Sequence, residues 1–130
     1  MRIGEAARRS GMPAKTIRFY EEIGLIRPAS REGNGYRDFS EDDVARLQFI
    51  HRARDHGFSV EDVSRLLSLW HDQDRASADV KALALEHVAK IEEKLAELEA
   101  MRRAVLHLAE RCHGDERPEC PILDDLASVE

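Results

Sequence analysis

Between Asp79 and Arg111 the chain contains neither glycine nor proline. So long a stretch without a helix breaker, rich in Ala, Leu, Glu, Lys and Arg, predicts one continuous α-helix. Its seam steps alternately by four and three residues through Val80, Ala84, His87, Ile91, Lys94, Leu98, Met101, Val105 and Leu108. His87 and Lys94 interrupt the apolar stripe, and Val88 and Leu95 widen it beside each break. Such a period marks a coiled-coil seam. A helix of this length, rising about 1.5 Å per residue, presents more apolar surface than the residues before it can cover. A second copy in an antiparallel two-fold dimer is the expected partner. Folding back onto the N-terminal part is the alternative.

The rest of the composition agrees with a mainly α protein. Of 130 residues, 42% are hydrophobic and 35% charged, while only 5% are aromatic. That balance suits helices with large solvated faces and argues against a big sandwich or barrel. No run of eighteen apolar residues exists, so no membrane span and no membrane partner are expected. The start, Met1-Arg2-Ile3-Gly4-Glu5, lacks the apolar core of a signal peptide. A cytoplasmic location follows as an expectation, with thiols kept reduced. The two cysteines, Cys112 and Cys120, then point to metal or redox chemistry more than to a structural disulfide. The net charge of −6 is unevenly spread. Residues 1–40 hold eight Lys and Arg against five Asp and Glu, so only this end is positive. Local positive charge is what a polyanion partner requires, whatever the overall sign.

That positive end has the layout of a winged helix-turn-helix. A short helix over residues 4–10 is broken by Ser10-Gly11-Met12. Pro13 is placed in the first turn of a second helix that runs to Glu22, with Ile17 as its apolar anchor. A plain helical hairpin fits the same spacing. Leu25-Ile26 and Tyr36-Arg37-Asp38-Phe39 read as the two strands of a wing, joined through Asn34-Gly35, a strong hairpin signal. Phe19, Leu25 and Phe39 are expected in the core. Ser40 and Ser59 each precede acidic residues and cap two further helices, with Val44, Leu47, Phe49 and Ile50 on the first and Val63, Leu66, Leu67 and Trp70 on the second. The resulting division is a DNA-binding domain over 1–70, a linker over 71–78, a dimerisation helix over 79–111, and a metal-binding loop with a short terminal helix over 112–130.

Several segments together carry a family resemblance: Thr16-Ile17-Arg18-Phe19-Tyr20-Glu21, Gly24-Leu25-Ile26, Asn34-Gly35-Tyr36-Arg37, Asp43-Val44-Ala45-Arg46-Leu47 and Gly57-Phe58-Ser59. With the long helix and the terminal cysteine pair, the chain resembles the MerR family of transcriptional regulators over almost its whole length. Within that family it is similar to the copper-responsive CueR or HmrR type, which has Ser at the position of Ser77 and two cysteines separated by seven residues. The resemblance implies a homodimer on a dyad-symmetric promoter. In the metal-bound state the dimer distorts the DNA so that RNA polymerase engages both promoter elements. The genes switched on would serve metal efflux or detoxification.

On DNA, Lys15 and Arg18 lie one helical turn apart and would face the groove, with Arg18 suited to guanine edges. Thr16 and Tyr20 offer hydroxyls, although Tyr20 also fits the core. Arg31, Tyr36 and Arg37 on the wing would hold backbone phosphates. The resemblance adds Arg54 as a phosphate contact. No base–nucleophile pair or cofactor loop supports an enzyme.

Cys112 and Cys120 offer two soft sulfur ligands, too few for a four-coordinate structural zinc. A monovalent d10 ion, Cu(I), Ag(I) or Au(I), accepts two thiolates, one ion per two-cysteine site. Cys120 sits before Pro121 at a helix start, where the dipole favours a thiolate. Two thiolates with a monovalent ion keep a charge of −1, and Lys81 is the expected compensating group. Ser77 of the partner subunit would shape a lid without ligating; an ordinary N-cap is its other reading. His113 is a possible third ligand. Two alternatives stay open: a Zn(II)-responsive regulator of the same family, or a thiol redox or metal-buffering protein.

Overall fold

The computed structural model describes residues 1–28, 30–31 and 37–128. Among them are six helices and two short strands, in the order α1 (Ile3–Ser10), α2 (Ala14–Glu22), β1 (Ser30–Arg31), β2 (Arg37–Asp38), α3 (Glu41–Asp55), α4 (Val60–His71), α5 (Ser77–Arg111) and α6 (Pro121–Ala127). The chain forms two compact units, Met1–Leu83 and Ala84–Glu130. No helix among the described residues is long and apolar enough to cross a membrane.

In the first unit α1 and α2 meet around a tight turn. Gly11 adopts φ 76°, and its N–H closes α1 on the Ala7 carbonyl at 3.0 Å. A Cβ there would only touch the His51 ring at 3.5 Å, so the need for glycine is one of backbone torsion. Pro13 is the N-cap of α2 and not a residue of its first turn. Its ψ of 144° is extended, and its carbonyl accepts from Ile17 N–H at 3.1 Å.

The expected first wing strand at Leu25-Ile26 is corrected. Both N–H groups bond back to the Tyr20 carbonyl, at 3.0 and 3.3 Å, and so cap the end of α2. With their donors spent, these residues cannot pair as a strand. The observed hairpin pairs Ser30 with Asp38 and Arg31 with Arg37, antiparallel. The sequence-predicted tip at Asn34-Gly35 lies outside the described residues. Beyond β2, Phe39 N–H bonds Met1 O at 2.6 Å, and the Met1 ammonium reaches Asp38 Oδ1 and Phe39 O, each at 2.7 Å. These bonds tie the base of the hairpin to the start of α1.

Ser40 and Asp43 form a reciprocal capping box at the start of α3. Ser59 accepts from Asp62 N–H at 3.1 Å and caps α4. The helices they open close the core: Ile17, Leu47, Ile50 and Val63 are fully buried, with Ala6, Met12, Tyr20, Ile26, Phe39, Val44 and Leu67 around them. Leu25 is partly buried against this cluster. Phe19 is not core, being 49% exposed. It lies two residues from Ile17, about 200° round the helix, and so points away from the side that Ile17 buries. At the edge of the core, Phe49 stacks on Trp70 with centroids 4.6 Å apart.

Helix α5 begins at Ser77, which makes Ser77 a helical residue and not the N-cap. In the second unit the seam is open. Ile91, Leu98, Met101 and Val105 are all exposed, as are Val88, Leu95 and Leu106. His87 is buried. The chain then turns through residues 112–120 into α6, with Pro121 in its first turn as expected.

Candidate nucleic-acid interface and metal centre

Helix α2 turns Ile17, Tyr20 and Glu21 inward. Lys15 and Arg18 are exposed, one turn apart, and Thr16 is half-buried. Together they present two cations and one hydroxyl on the outer side of the second helix of a helix-turn-helix, the element that enters a major groove. Tyr20 is only 6% exposed, so its ring belongs to the core. Phe19, assigned to the core from sequence, stands instead on the outer face beside the two cations. Its position relative to Ile17 was the signal that locates it.

Arg54 is exposed on α3, and its Nη1 donates to the Phe58 carbonyl at 2.7 Å. That bond braces the turn between α3 and α4. A guanidinium has five N–H groups, so one bond to a carbonyl is compatible with a phosphate contact. Tyr36 and the side chains of Arg31 and Arg37 lie outside the described residues. Arg9 and Glu41 form a paired fork that joins α1 to α3, with Nη1 2.6 Å from Oε1. The Arg9 hydrogen bond holds the Glu41 carboxyl below its usual range. Gln48 Nε2 adds a bond to the Arg9 carbonyl at 2.9 Å. These contacts fix α1 on α3 and thereby set where α2 stands.

In the second unit the two cysteines mark the ends of two helices. Cys112 follows α5 directly, its N–H on the Ala109 carbonyl at 3.1 Å. Cys120 is the N-cap of α6, and its carbonyl accepts from Asp124 N–H at 3.0 Å. Both are free thiols, each half-buried. The backbone N–H of Leu123 is the main influence pulling the Cys120 thiol below its ordinary pKa. Partial desolvation opposes it, while the Ile122 N–H and the Cys112 thiol reinforce it. The start of α6 therefore favours the thiolate form of Cys120.

Among the described residues no group of three or more His, Cys, Asp and Glu side chains converges as a metal site. His113 is exposed. Two soft sulfurs are donors that suit a soft cation. Ser77 and Lys81 are both exposed on the first turns of α5, within the first unit.

The chain matches two family descriptions: "MerR HTH family regulatory protein" over residues 1–70, and "MerR, DNA binding" over residues 44–108. It is 55% identical to the HTH-type transcriptional regulator HmrR of Sinorhizobium medicae, covering 98% of this chain and 86% of that protein. It is 44% identical to the HTH-type transcriptional regulator CueR of Salmonella typhimurium, covering 98% and 92%. Among solved structures, the lead(II) complex of the transcription regulator PbrR691 from Ralstonia metallidurans superposes with a TM-score of 0.82 at 35% identity, covering 98% of this chain and 99% of that one.

Proposed function

The chain belongs to the MerR family of helix-turn-helix transcriptional regulators, and from that premise we propose that it activates a promoter in response to Cu(I), or its relatives Ag(I) and Au(I). Cys112 and Cys120 would hold one ion per site as two thiolates. Bound there, the ion supplies a link between the end of α5 and the start of α6. The observation that carries this reading is two free, half-buried thiols at the end of α5 and the start of α6, with no group of three or more possible metal donors among the described residues.

The exposed seam supports a homodimer joined through α5. Two α2 helices held by such a dimer suit a dyad-symmetric operator. Lys15 and Arg18 would read base edges, Thr16 would add a hydroxyl contact, and Arg31, Tyr36, Arg37 and Arg54 would hold the backbone. Tyr20 would act mainly by setting the pose of α2 from the core. In the dimer, the partner's Lys81 would offset the charge of the site, and the partner's Ser77 would cover it.

Activation then requires a coupling free energy. The dimer with both thiol pairs occupied must favour a DNA-distorting state over a non-distorting one. Overall DNA affinity need not change, because both states bind the operator. Distorted promoter DNA would present both of its elements to RNA polymerase, leading to expression of metal efflux or detoxification genes.

The test is anaerobic titration of the reduced protein with Cu(I) and separately with Zn(II), reading promoter transcription and a DNA footprint in the same samples. The reading predicts activation by Cu(I), none by Zn(II), and a footprint present in both. The lead(II) complex of PbrR691 keeps a divalent ion as the competing outcome. Activation by Zn(II) would establish it, and absence of any footprint would leave a thiol redox or metal-buffering protein. Cys112→Ser and Cys120→Ser should each abolish the metal response while leaving DNA binding within about twofold of the parent, since the thiols lie far along the chain from α2.

A further inference from the structure

The loop between the two cysteines contains a clasp. Asp115 Oδ1 accepts the backbone N–H of Arg117 at 2.9 Å. Asp115 Oδ2 accepts Arg117 Nε at 2.9 Å and lies 2.8 Å from Nη2. One carboxylate therefore engages three N–H groups of a residue two positions along. The hydrogen bond from the Arg117 side chain, helped by its backbone N–H, holds the Asp115 carboxyl below its usual range. The clasp therefore stays charged at neutral pH.

Its place in the loop gives it leverage. Gly114, immediately before, adopts φ 69°, a left-handed backbone conformation. Nothing lies within 4 Å of a Cβ built there, so a side chain would meet a torsional cost only. Pro118, immediately after, has a fixed φ. The left-handed glycine, the clasp and the proline thus occupy consecutive residues of the loop whose ends are the two cysteines. The clasp residues are 44% and 59% exposed. An ion pair so open to water adds little to global stability. A local restraint on the loop, however, acts directly on how often its ends meet.

We propose that Asp115, acting with Arg117, is a positioning residue of the two-thiol site: the clasp holds the loop in the conformation that brings the Cys112 and Cys120 thiols together before an ion arrives. The clasp lowers the ordering cost of binding, which is the usual benefit of a preorganised site. The metal arm of this inference rests on the ion-binding reading above; the metal-free arm does not.

The experiment compares the full-length protein with Asp115→Ala, Asp115→Asn and Arg117→Ala. The metal-free arm measures the equilibrium between the dithiol and its internal disulfide in glutathione buffers. Oxidised glutathione takes the two electrons, and two molecules of reduced glutathione leave with the thiol protons. That constant reports how readily the sulfurs meet. D115A is expected to lower it about tenfold, as a loss of effective concentration. R117A should lower it less, because its backbone N–H still reaches Asp115. D115N should fall between, because an amide oxygen still accepts that N–H while the ion pair is gone. The metal arm measures Cu(I) partition against a competing chelator and should show the same order. Thermal melting should be unchanged throughout, which separates positioning from a fold defect.

Equal disulfide constants in parent and D115A, including no disulfide in either, would overturn the proposal. So would a drop that appears only alongside a lowered melting temperature. If the parent fails to hold Cu(I) while the disulfide constants separate as expected, the ion-binding reading fails and the clasp stands.

Discussion

Ile17, Leu47, Ile50 and Val63 are sealed from solvent, whereas Leu95, Leu98, Met101 and Val105 each keep more than half of their surface open. The first set belongs to the unit Met1–Leu83 and the second to Ala84–Glu130. Both sets are large apolar residues at helical spacing, so hydrophobicity and period do not distinguish them. Closure does. In the first unit, α1, α2, α3 and α4 bury their apolar sides in one core, and capping side chains satisfy the starts of α3 and α4. In the second, the long helix carries a stripe in which Ile91, Leu95, Leu98, Met101 and Val105 are left exposed. A contiguous apolar surface of that kind belongs to an interface. The first unit thus closes its core within one chain, while the second leaves its apolar stripe exposed.

The sharpest way to break this contrast is at the seam. Leu98→Asp combined with Val105→Asp should raise the dimer dissociation constant by about a hundredfold or more, because both charges would be buried unpaired in the interface. Sedimentation equilibrium checks it. Retained near-ultraviolet circular dichroism from Trp70 and the tyrosines would show the first unit still folded. A monomeric parent protein would refute the contrast outright.

Ile17→Ala should act in the opposite sense. Emptying a fully buried site costs about 2–5 kcal/mol of unfolding free energy. Urea unfolding should show this loss at every protein concentration. Leu98→Ala should instead show a loss that is largest at high protein concentration and shrinks as dilution takes both proteins toward monomers.

Ser40→Ala removes one half of the capping box and should cost about 1 kcal/mol in the same assay. Its effect should not depend on concentration, since the cap serves the closed core.

Acid titration gives the smallest expected change. The Arg9 fork depresses the Glu41 pKa in the folded protein. The resulting stability is present above the unfolded-state pKa and is lost as pH falls through the folded one. Glu41→Gln should therefore flatten the acid limb of the stability curve below about pH 5 and leave neutral stability only slightly lower. Unfolding midpoints between neutral and acid pH measure it.

These two halves also differ in how plainly the sequence spells them out. Elements whose cause is local were readable: Ser40 and Ser59 announce α3 and α4, Gly11 ends α1, and an unbroken helical period yields α5. Elements decided by where a hydrogen bond goes were not readable. Leu25-Ile26 looks like a strand because it is a short apolar pair, and only the Tyr20 carbonyl shows that its donors are already used. Phe19 looks like core because it is aromatic, yet its angle from Ile17 turns it outward. Ser77 looks like a cap because serine often is one, but the helix starts on it. The Asp115–Arg117 clasp has no sequence period at all, since two charged residues two apart are ordinary on any surface.

The central claim is that two sulfurs and no further donors constitute the sensor. X-ray absorption at the copper edge, on the dimeric protein loaded anaerobically with one Cu(I) per chain, addresses it directly. A two-thiolate Cu(I) site gives a monovalent edge and a first shell of two sulfur neighbours that disappears in Cys112→Ser. A first shell of three or four donors, or a nitrogen neighbour lost on His113→Ala, would contradict it.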